Sequence, residues 1–363
     1  MNSDTIKDIR RLLDVTPVVI EGDPLLLVEV SNVRVEKDIW RYVQQIDHPK
    51  PIPDVKTILL GPVSNYYDRW PIVKLHGKTP SDLRIYNRYL FENFEPLLNF
   101  AFNQNQIRDR ILEDIDVDVI VLLLIDGLSY TDWMGFPNVI SCLVPGPTIT
   151  PVCFRNIIGK PTLAELLFQK SFSKRIGFSH WDRDESLSNE LFFGFDQKLQ
   201  IEKVIEFKDV LKKISLSPKY QTFIQIIVNG LDFVSHRYRG RPPIKAIAEN
   251  IYHDYFLALC DRLHQIGSTA LVYATSDHGI LWRPGPDEDW DFVPLSFPNI
   301  STHRYAKGVM HVPHSKEFNS YGNLYFSLEY PYIFKTLSTI EWGVHGGISF
   351  QESVVPFVKE EVI

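Results

Sequence analysis

The sequence predicts an α/β fold, with a layered, largely parallel central β-sheet flanked by helices and a smaller N-terminal α/β region. Two observations carry this. Short apolar runs rich in Val, Ile and Leu alternate with helical patterns over the last two thirds of the chain, as parallel sheets require. The apolar runs also end in acidic, imidazole or glycine residues, as strands do where a ligand sits beyond their carboxyl ends.

Five segments read as buried strands. Asp118 to Ile125 is nearly continuous Val, Ile and Leu, the mark of a strand covered on both faces. Arg175 to Phe178, Thr222 to Val228 and Ala270 to Ala274 have the same character. Ser353 to Val358 is the fifth, and Pro356 within it predicts an edge position or a bulge, because proline cannot donate to a ladder. Pro242 and Pro243 suit the first turn of a helix running to about Gln265. Its apolar residues Ile247, Ile251, Tyr255, Leu259, Leu263 and Ile266 recur at three- or four-residue steps, and Gly267 is a natural stop. Pro161 opens a shorter helix containing Leu163, Leu166 and Leu167.

Residues 1–115 read as the separate N-terminal region. They hold an amphipathic start at Ile6 to Leu13, strand-like stretches at Leu25 to Val30 and Thr57 to Leu60, and an aromatic-rich helical stretch from Ser81 to about Leu112. Residues 116–363 form the main domain. Within it, 281–340 is irregular and rich in proline, aromatics and histidine, and so long a loop-rich segment is expected to be a functional insertion.

Composition narrows the function classes. The 363-residue chain is 44% hydrophobic and 23% charged, ordinary for a globular protein. A formal net charge of -7 argues against a surface built to grip long duplex nucleic acid, though a short nucleotide needs only local cations. Cys142, Cys153 and Cys260 are odd in number at uninformative spacings, which predicts free thiols in a reducing compartment. The polar start, Met1 to Arg11, has no apolar stretch for a signal peptide, and the apolar run from Val117 to Ile125 is too short to span a bilayer. The expectation is a cytoplasmic protein with no membrane association.

Three strand exits carry candidate chemistry. The first ends at Asp126-Gly127, the second leads into Asn229-Gly-Leu-Asp232-Phe-Val-Ser-His236, and the third ends at Ser276-Asp277-His278-Gly279. Singly, each has an ordinary explanation: a helix cap or turn for Asp126, an ion pair on one helical turn for Asp232 and His236, a turn for Asp277-His278. Converging at one sheet edge, they form what a divalent metal site needs, and carboxylate with imidazole suits zinc or manganese. Pro147-Thr148-Ile149-Thr150-Pro151 offers hydroxyls that are inert until a base or metal activates them. His345 stands before two glycines just ahead of the last strand.

In order and type these motifs resemble the alkaline phosphatase superfamily, and within it PglZ-type domains. The matching residues are Leu124-Ile-Asp126-Gly, Pro-Thr-Ile-Thr150, Asp232-x-x-x-His236, Ser-Asp277-His278-Gly and His345-Gly-Gly. The PglZ likeness lies in His345-Gly-Gly-Ile-Ser-Phe-Gln-Glu352-Ser-Val-Val-Pro356. The resemblance covers roughly residues 117 to 360. It implies an alkaline-phosphatase-like fold and two divalent ions, zinc first and manganese as the alternative. Asp126, Thr150, Asp277 and His278 would hold one ion, and Asp232, His236 and His345 the other. Thr150 would be the nucleophile, passing through a phosphothreonine intermediate, with Thr148 two residues away still open. The reaction implied is phosphoric ester hydrolysis, preferentially of a diester in a nucleotide or single-stranded nucleic acid, in bacterial defence or signalling. A phosphomonoesterase, or a scaffolding subunit of a defence complex docking through its N-terminal region, are the alternatives. Sulfatase chemistry is disfavoured because Cys153-Phe-Arg155 lacks the arrangement such enzymes modify. Expected substrate contacts are Arg155, His303 and Arg304, with Arg283, Lys307, His311 and His314 as further candidates and Trp282, Trp290 and Tyr305 as possible stacking partners.

Overall fold

The computed structural model describes four short strands before residue 75, then residues 83–181, 201–214, 220–297, 299–308 and 311–362. The amphipathic start at Ile6 to Leu13 and the expected Leu25 to Val30 strand lie outside the described residues. The chain forms two compact units, Met1–Phe102 and Asn103–Ile363.

In the first unit, β1 (Val18–Glu21), β2 (Val43–Gln45), β3 (Ile58–Leu60) and β4 (Ile72–Lys74) form a parallel sheet in the order β2-β3-β1-β4. Two helices follow, α1 (Leu83–Glu92) and α2 (Phe94–Phe100). The predicted continuous helix from Ser81 to Leu112 is thus three, because Asn93 and Asn103 interrupt it. Asn103 caps α3 (Gln104–Glu113) through a reciprocal capping box with Gln106, which satisfies two otherwise orphaned N–H groups. Helix α3 belongs to the second unit.

The second unit is built on β5 (Val119–Asp126), whose eight residues are all buried. Among the described residues, seven strands form its central sheet in the order β6-β18-β10-β5-β9-β7-β8. Here β6 is Ile140–Leu143, β7 Lys174–Ser179, β8 Glu202–Val204, β9 Thr222–Asn229, β10 Ala270–Ser276 and β18 Val354–Val362. Strands β10, β5, β9, β7 and β8 run parallel, and β18 runs antiparallel to both β10 and β6. Register places Asp126 opposite Asn229 and Ile125 opposite Ser276, so three strands deliver their exits to one edge. On one face Val121, Leu123, Ile226 and Val272 pack with Phe256, Leu259 and Leu263. The alternate residues Ile120, Leu122 and Leu124 are equally buried. This is why β5 carries no polar side chain before Asp126.

The edge position predicted from Pro356 is corrected: β18 lies between β10 and β6. Pro356 is accommodated because it pairs only with Ser141 of β6, while the β10 ladder begins one residue later at Phe357. Its carbonyl accepts instead from Thr275 Oγ1 at 2.9 Å.

Helix α4 is Tyr130–Trp133, α5 Thr150–Ile158, α6 Leu163–Gln169, α7 Phe207–Lys213 and α8 Leu231–Arg237. The long predicted helix exists but changes pitch. It comprises α9 (Ile244–Ile251), a π-helical turn (Tyr252–Leu257) and α10 (Ala258–Ile266). Its apolar residues step by four, which overruns an α-helical turn by about 40° each time. A wider π turn resets the drift and keeps Ile251, Tyr252, Phe256, Leu259 and Leu263 all buried.

The irregular segment after β10 is more ordered than its composition predicts. Strand β11 (Leu281–Trp282) pairs with β17 (Gly343–Val344), and β12 (Val293–Pro294) with β16 (Tyr332–Ile333). Strands β13 (Tyr305–Lys307), β14 (Ser315–Ser320) and β15 (Asn323–Leu328) make a three-stranded antiparallel sheet. Helix α11 (Phe350–Ser353) leads into β18. Cys142 and Cys153 are buried and Cys260 half-buried, all three as free thiols. Among the described residues no helix is long and apolar enough to cross a membrane.

Gly267 closes α10 in the left-handed conformation at φ 63° and ψ 32°, with open space where a Cβ would stand. The cost of a side chain there is therefore backbone strain alone. Gly267→Ala is expected to destabilise the protein by about 1 kcal/mol, read from the urea midpoint at unchanged slope, and Gly267→Asn by less.

Candidate metal centre

Asp126 ends β5 fully buried, and neither of its carboxylate oxygens has a hydrogen-bond donor. Its neighbours are brought close by glycine. Gly127 has φ +74°, and a Cβ there would stand 2.8 Å from both Cβ and N of Asp232. A Cβ on Gly230 would collide with the Asp126 carbonyl. Without side chains at these two positions, the exits of β5 and β9 come together, tied by Leu231 N donating to Gly127 O at 2.9 Å.

Asp277 follows β10. Its Oδ1 accepts from Gly127 N at 3.0 Å and from His278 N at 2.9 Å, which fixes the carboxylate plane. Its Oδ2 has no donor and lies 3.4 Å from His278 Nε2. His278 Nδ1 donates to Gly279 O at 3.1 Å, so the lone pair is on Nε2. That Nε2 accepts from Thr150 Oγ1 at 3.2 Å and lies 4.0 Å from Asp126 Oδ1. Ligand atoms of Asp126, Asp277 and His278 all lie within 4.8 Å of one another.

A second group stands beside the first. Asp232 and His236 lie one turn apart on α8, hence on one face, with Asp232 Oδ1 3.3 Å from His236 Nε2 and 3.5 Å from His345 Nε2. His345 Nδ1 donates to Thr148 O at 2.8 Å, again leaving Nε2 as the free lone pair. The rings of His278 and His345 stack at 4.0 Å and 9°, which sets the two groups side by side.

Electrostatics sets the groups apart. Burial pushes the Asp126 carboxyl well above the usual range, and the Asp277 and Asp232 charges add to it. Asp232 is also penalised by burial, yet His345, His236 and His278 outweigh that and hold it well below its ordinary value. Burial, then the nearby His278, lowers His345, while the hydrogen bond to Asp232 raises His236. Three buried carboxylate oxygens without a donor are costly as they stand. A divalent cation offsets that cost, and neutral imidazole with carboxylate is a donor set for zinc or manganese. The residues fit two such ions.

Thr148 is fully buried, and its hydroxyl donates to Gly347 O and accepts from Gly346 N, both at 2.9 Å. That leaves Thr150 as the hydroxyl facing the site. Arg304, expected to touch substrate, is fully buried instead. It forms a two-bonded ion pair with Glu352 at 2.9 and 2.8 Å, so that expectation is corrected. His303 is corrected likewise: Nδ1 lies 2.8 Å from Lys335 O and Nε2 3.1 Å from Glu341 Oε1. Arg155 lies over the Tyr321 ring, 5.4 Å from its centroid. His314 stacks on Tyr332 and bonds Glu329, and Arg283 bonds Ser338 O.

A cavity of about 330 Å³ opens beside the site, lined by Asp126, His180, Trp181, Asn229, Asp232, Phe233, His236 and Arg237. His180 and Trp181 were missed in the sequence although they follow β7, because the strand-exit rule was applied to three exits and this was a fourth. His180 meets Tyr255 of the π turn at 3.4 Å. Gln104 was also missed: buried at the start of α3, it donates to Ser276 O at 3.1 Å and Asp277 O at 2.6 Å. A lone glutamine at a helix start carries no signal of that contact.

No family model matches the chain, and no curated protein matches it. Solved structures do. Phosphonoacetate hydrolase from Sinorhizobium meliloti 1021, in complex with phosphonoformate, is 12% identical over 67% of this chain and 90% of its own, with a TM-score of 0.44. An inactive variant of murine ectonucleotide pyrophosphatase / phosphodiesterase 5, in complex with AMP, is 8% identical over 66% and 87%, with a TM-score of 0.43. The C-terminal periplasmic domain of EcEptC from Escherichia coli is 11% identical over 48% and 67%, at 0.33. Likenesses this slight leave the chemistry of this chain to its own residues.

A carboxyl raised on folding binds more protons in the native than in the unfolded chain, so it lowers stability as pH rises from about 3.9 towards its folded value. In metal-free protein at neutral pH, Asp126→Asn is therefore expected to melt higher than the wild type, at roughly 2–4 °C per kcal/mol, with the gap closing in acid. Added zinc should raise the wild-type melting temperature by more than that of the variant, which keeps only the Asp232, His236 and His345 group intact. A variant that melts lower than metal-free wild type at neutral pH would count against this account.

Proposed function

We propose that this chain is a two-metal phosphohydrolase of the alkaline phosphatase superfamily, PglZ type, that cleaves a phosphodiester with Thr150 as nucleophile. The observation that carries the reading is the meeting of two Asp/His groups side by side, one of them fully buried and in contact through His278 with Thr150, the first residue of α5. In this reading Asp126, Asp277, His278 and Thr150 hold one ion, and Asp232, His236 and His345 the other. Such ions lower the pKa of a bound hydroxyl and neutralise charge on the attacking and leaving oxygens.

The chain's own residues account for the rest. Thr150 Oγ1 lies 3.2 Å from His278 Nε2, so the hydroxyl and that lone pair would face one ion together, and the Thr150 proton would pass to solvent. The stacked imidazoles and strand-end carboxylates are held rigidly by backbone bonds, and phosphoryl transfer is mainly a matter of positioning and charge neutralisation. Displacement at phosphorus forms the Thr150 Oγ1–P bond as the ester oxygen leaves with its electron pair. Water then cleaves that bond and regenerates the hydroxyl.

The cavity supports a diester over a monoester. Among the described residues that line it, Arg237 is the single permanent cation, and it lies over the Phe233 ring, so a second negative charge on phosphate finds little extra compensation from them. Trp181 and the 52% exposed Phe233 offer flat apolar faces to a planar group, which fits a nucleotide or single-stranded nucleic acid. The cytoplasmic location and a place in bacterial defence rest on the sequence alone.

The test is turnover of a chromogenic phosphodiester against the matching monoester, with zinc, with manganese and after chelation. Metal-dependent diester cleavage is expected, reduced at least about 10²–10³-fold in Thr150→Ala, Asp277→Ala and His345→Ala. Near-native turnover in any of the three would overturn its assigned role. Inactivity on both esters with either metal would favour the scaffolding alternative.

A further inference from the structure

The turn that carries His345 is held from both sides by groups that have no part in ligation, and it passes through a space with no room for side chains. Gly346 has φ +110°, and a Cβ there would stand 2.5 Å from Tyr305 Cδ1. A Cβ on Gly347 would run into the Arg304 guanidinium. On one side the Thr148 hydroxyl bridges Gly346 N and Gly347 O, and the Thr148 carbonyl accepts from His345 Nδ1. On the other side Gly347 N donates to Glu352 Oε1 at 2.9 Å. Glu352 is itself fully buried and held by Ser349 Oγ at 2.7 Å and by both arms of Arg304. The remaining Arg304 bonds go to the carbonyls of Leu328, Glu329 and Tyr332, at the end of the β13–β15–β14 sheet.

We propose that Thr148, Glu352 and Arg304 are positioning residues that together set the tautomer and direction of His345, and so control the affinity of the ion shared by Asp232, His236 and His345. A buried ion pair is a weak source of stability because desolvation offsets its attraction. Its value lies in fixing geometry: Arg304 spends every arm on one carboxylate and three carbonyls, which locks the 303–333 insertion to the turn. Thr148 has a double duty. Its position two residues before Thr150 means that the same backbone segment orients a metal ligand and presents the nucleophile. The groups that orient a metal-bound histidine change metal affinity by about 10–100-fold when removed.

This inference rests on the two-metal reading, and cobalt binding to protein stripped of metal separates the two. Cobalt(II) is titrated into wild type, Thr148→Val and Thr148→Ser while its visible absorption is followed, with bound metal counted after dialysis. Wild type is expected to take two ions. Thr148→Val, which keeps the shape and the carbonyl but loses the hydroxyl, should weaken one ion about 10–100-fold, alter the spectrum of that ion and spare the other. Thr148→Ser should restore both. The double variant Arg304→Met, Glu352→Leu removes the pair without stranding a buried charge, and it should weaken the same ion. Two ions bound equally well by wild type and Thr148→Val would overturn the inference alone, as would an equal loss at both sites, the mark of a merely structural role. Wild type that takes up no ion would overturn the two-metal reading and this inference with it.

Discussion

Three carboxylates from three different chain segments, Asp126, Asp232 and Asp277, are buried at one edge of a sheet, and Asp126 and Asp277 leave three oxygens without a donor. Like charges so placed repel one another in a medium that screens poorly, and folding does not bring such groups together by chance of packing. The surrounding architecture is arranged around that convergence. The fully buried β5 supplies a rigid stalk, and Gly127 and Gly230 remove the bulk that would keep Asp232 away. Backbone N–H groups consume one oxygen of Asp277 and so aim the other. A cation at the centre would offset the cost of that crowding.

Histidine enters under the same constraint. His278 and His345 each donate Nδ1–H to a main-chain carbonyl, so both rings present Nε2. Their stacking joins two ligand groups that belong to different loops. The bonds that hold His345 run outward through Thr148 on one side and through Glu352 to Arg304 on the other. Arg304 therefore bears on the His345 turn through Glu352 and Gly347 N. The pocket itself is lined by residues of α8 and of the β7 exit.

Much of this was legible in the sequence because strand chemistry is local. A run such as Val119 to Ile125 can be satisfied only in a sheet covered on both faces, and the residue ending it must then be at a sheet edge. Asp126, Asp232, His236, Asp277 and His278 follow from that rule without any contact map. The apolar steps along Ile247, Ile251, Tyr255 and Leu259 predicted a helix, but the π turn within it follows only from packing. Arg304 and His303 misled for the opposite reason. Cationic residues in a proline- and aromatic-rich segment resemble phosphate contacts, and nothing local reveals that Glu352, forty-eight residues on, closes over one of them.

The sequence by itself determined the sheet, its strand exits and the residue types that meet there, because periodicity, burial and turn chemistry act over a few residues at a time. Only the tertiary structure decided which hydroxyl faces the centre. Thr148 and Thr150 are chemically equivalent in a string of letters, and they differ because one is consumed by the Gly346-Gly347 turn, nearly two hundred residues away, while the other is left beside His278. The same holds for β18, whose proline is tolerated inside the sheet through its pairing with β6 alone at that point. Long-range pairing allots each polar group its partner, and no window of sequence contains both members of such a pair.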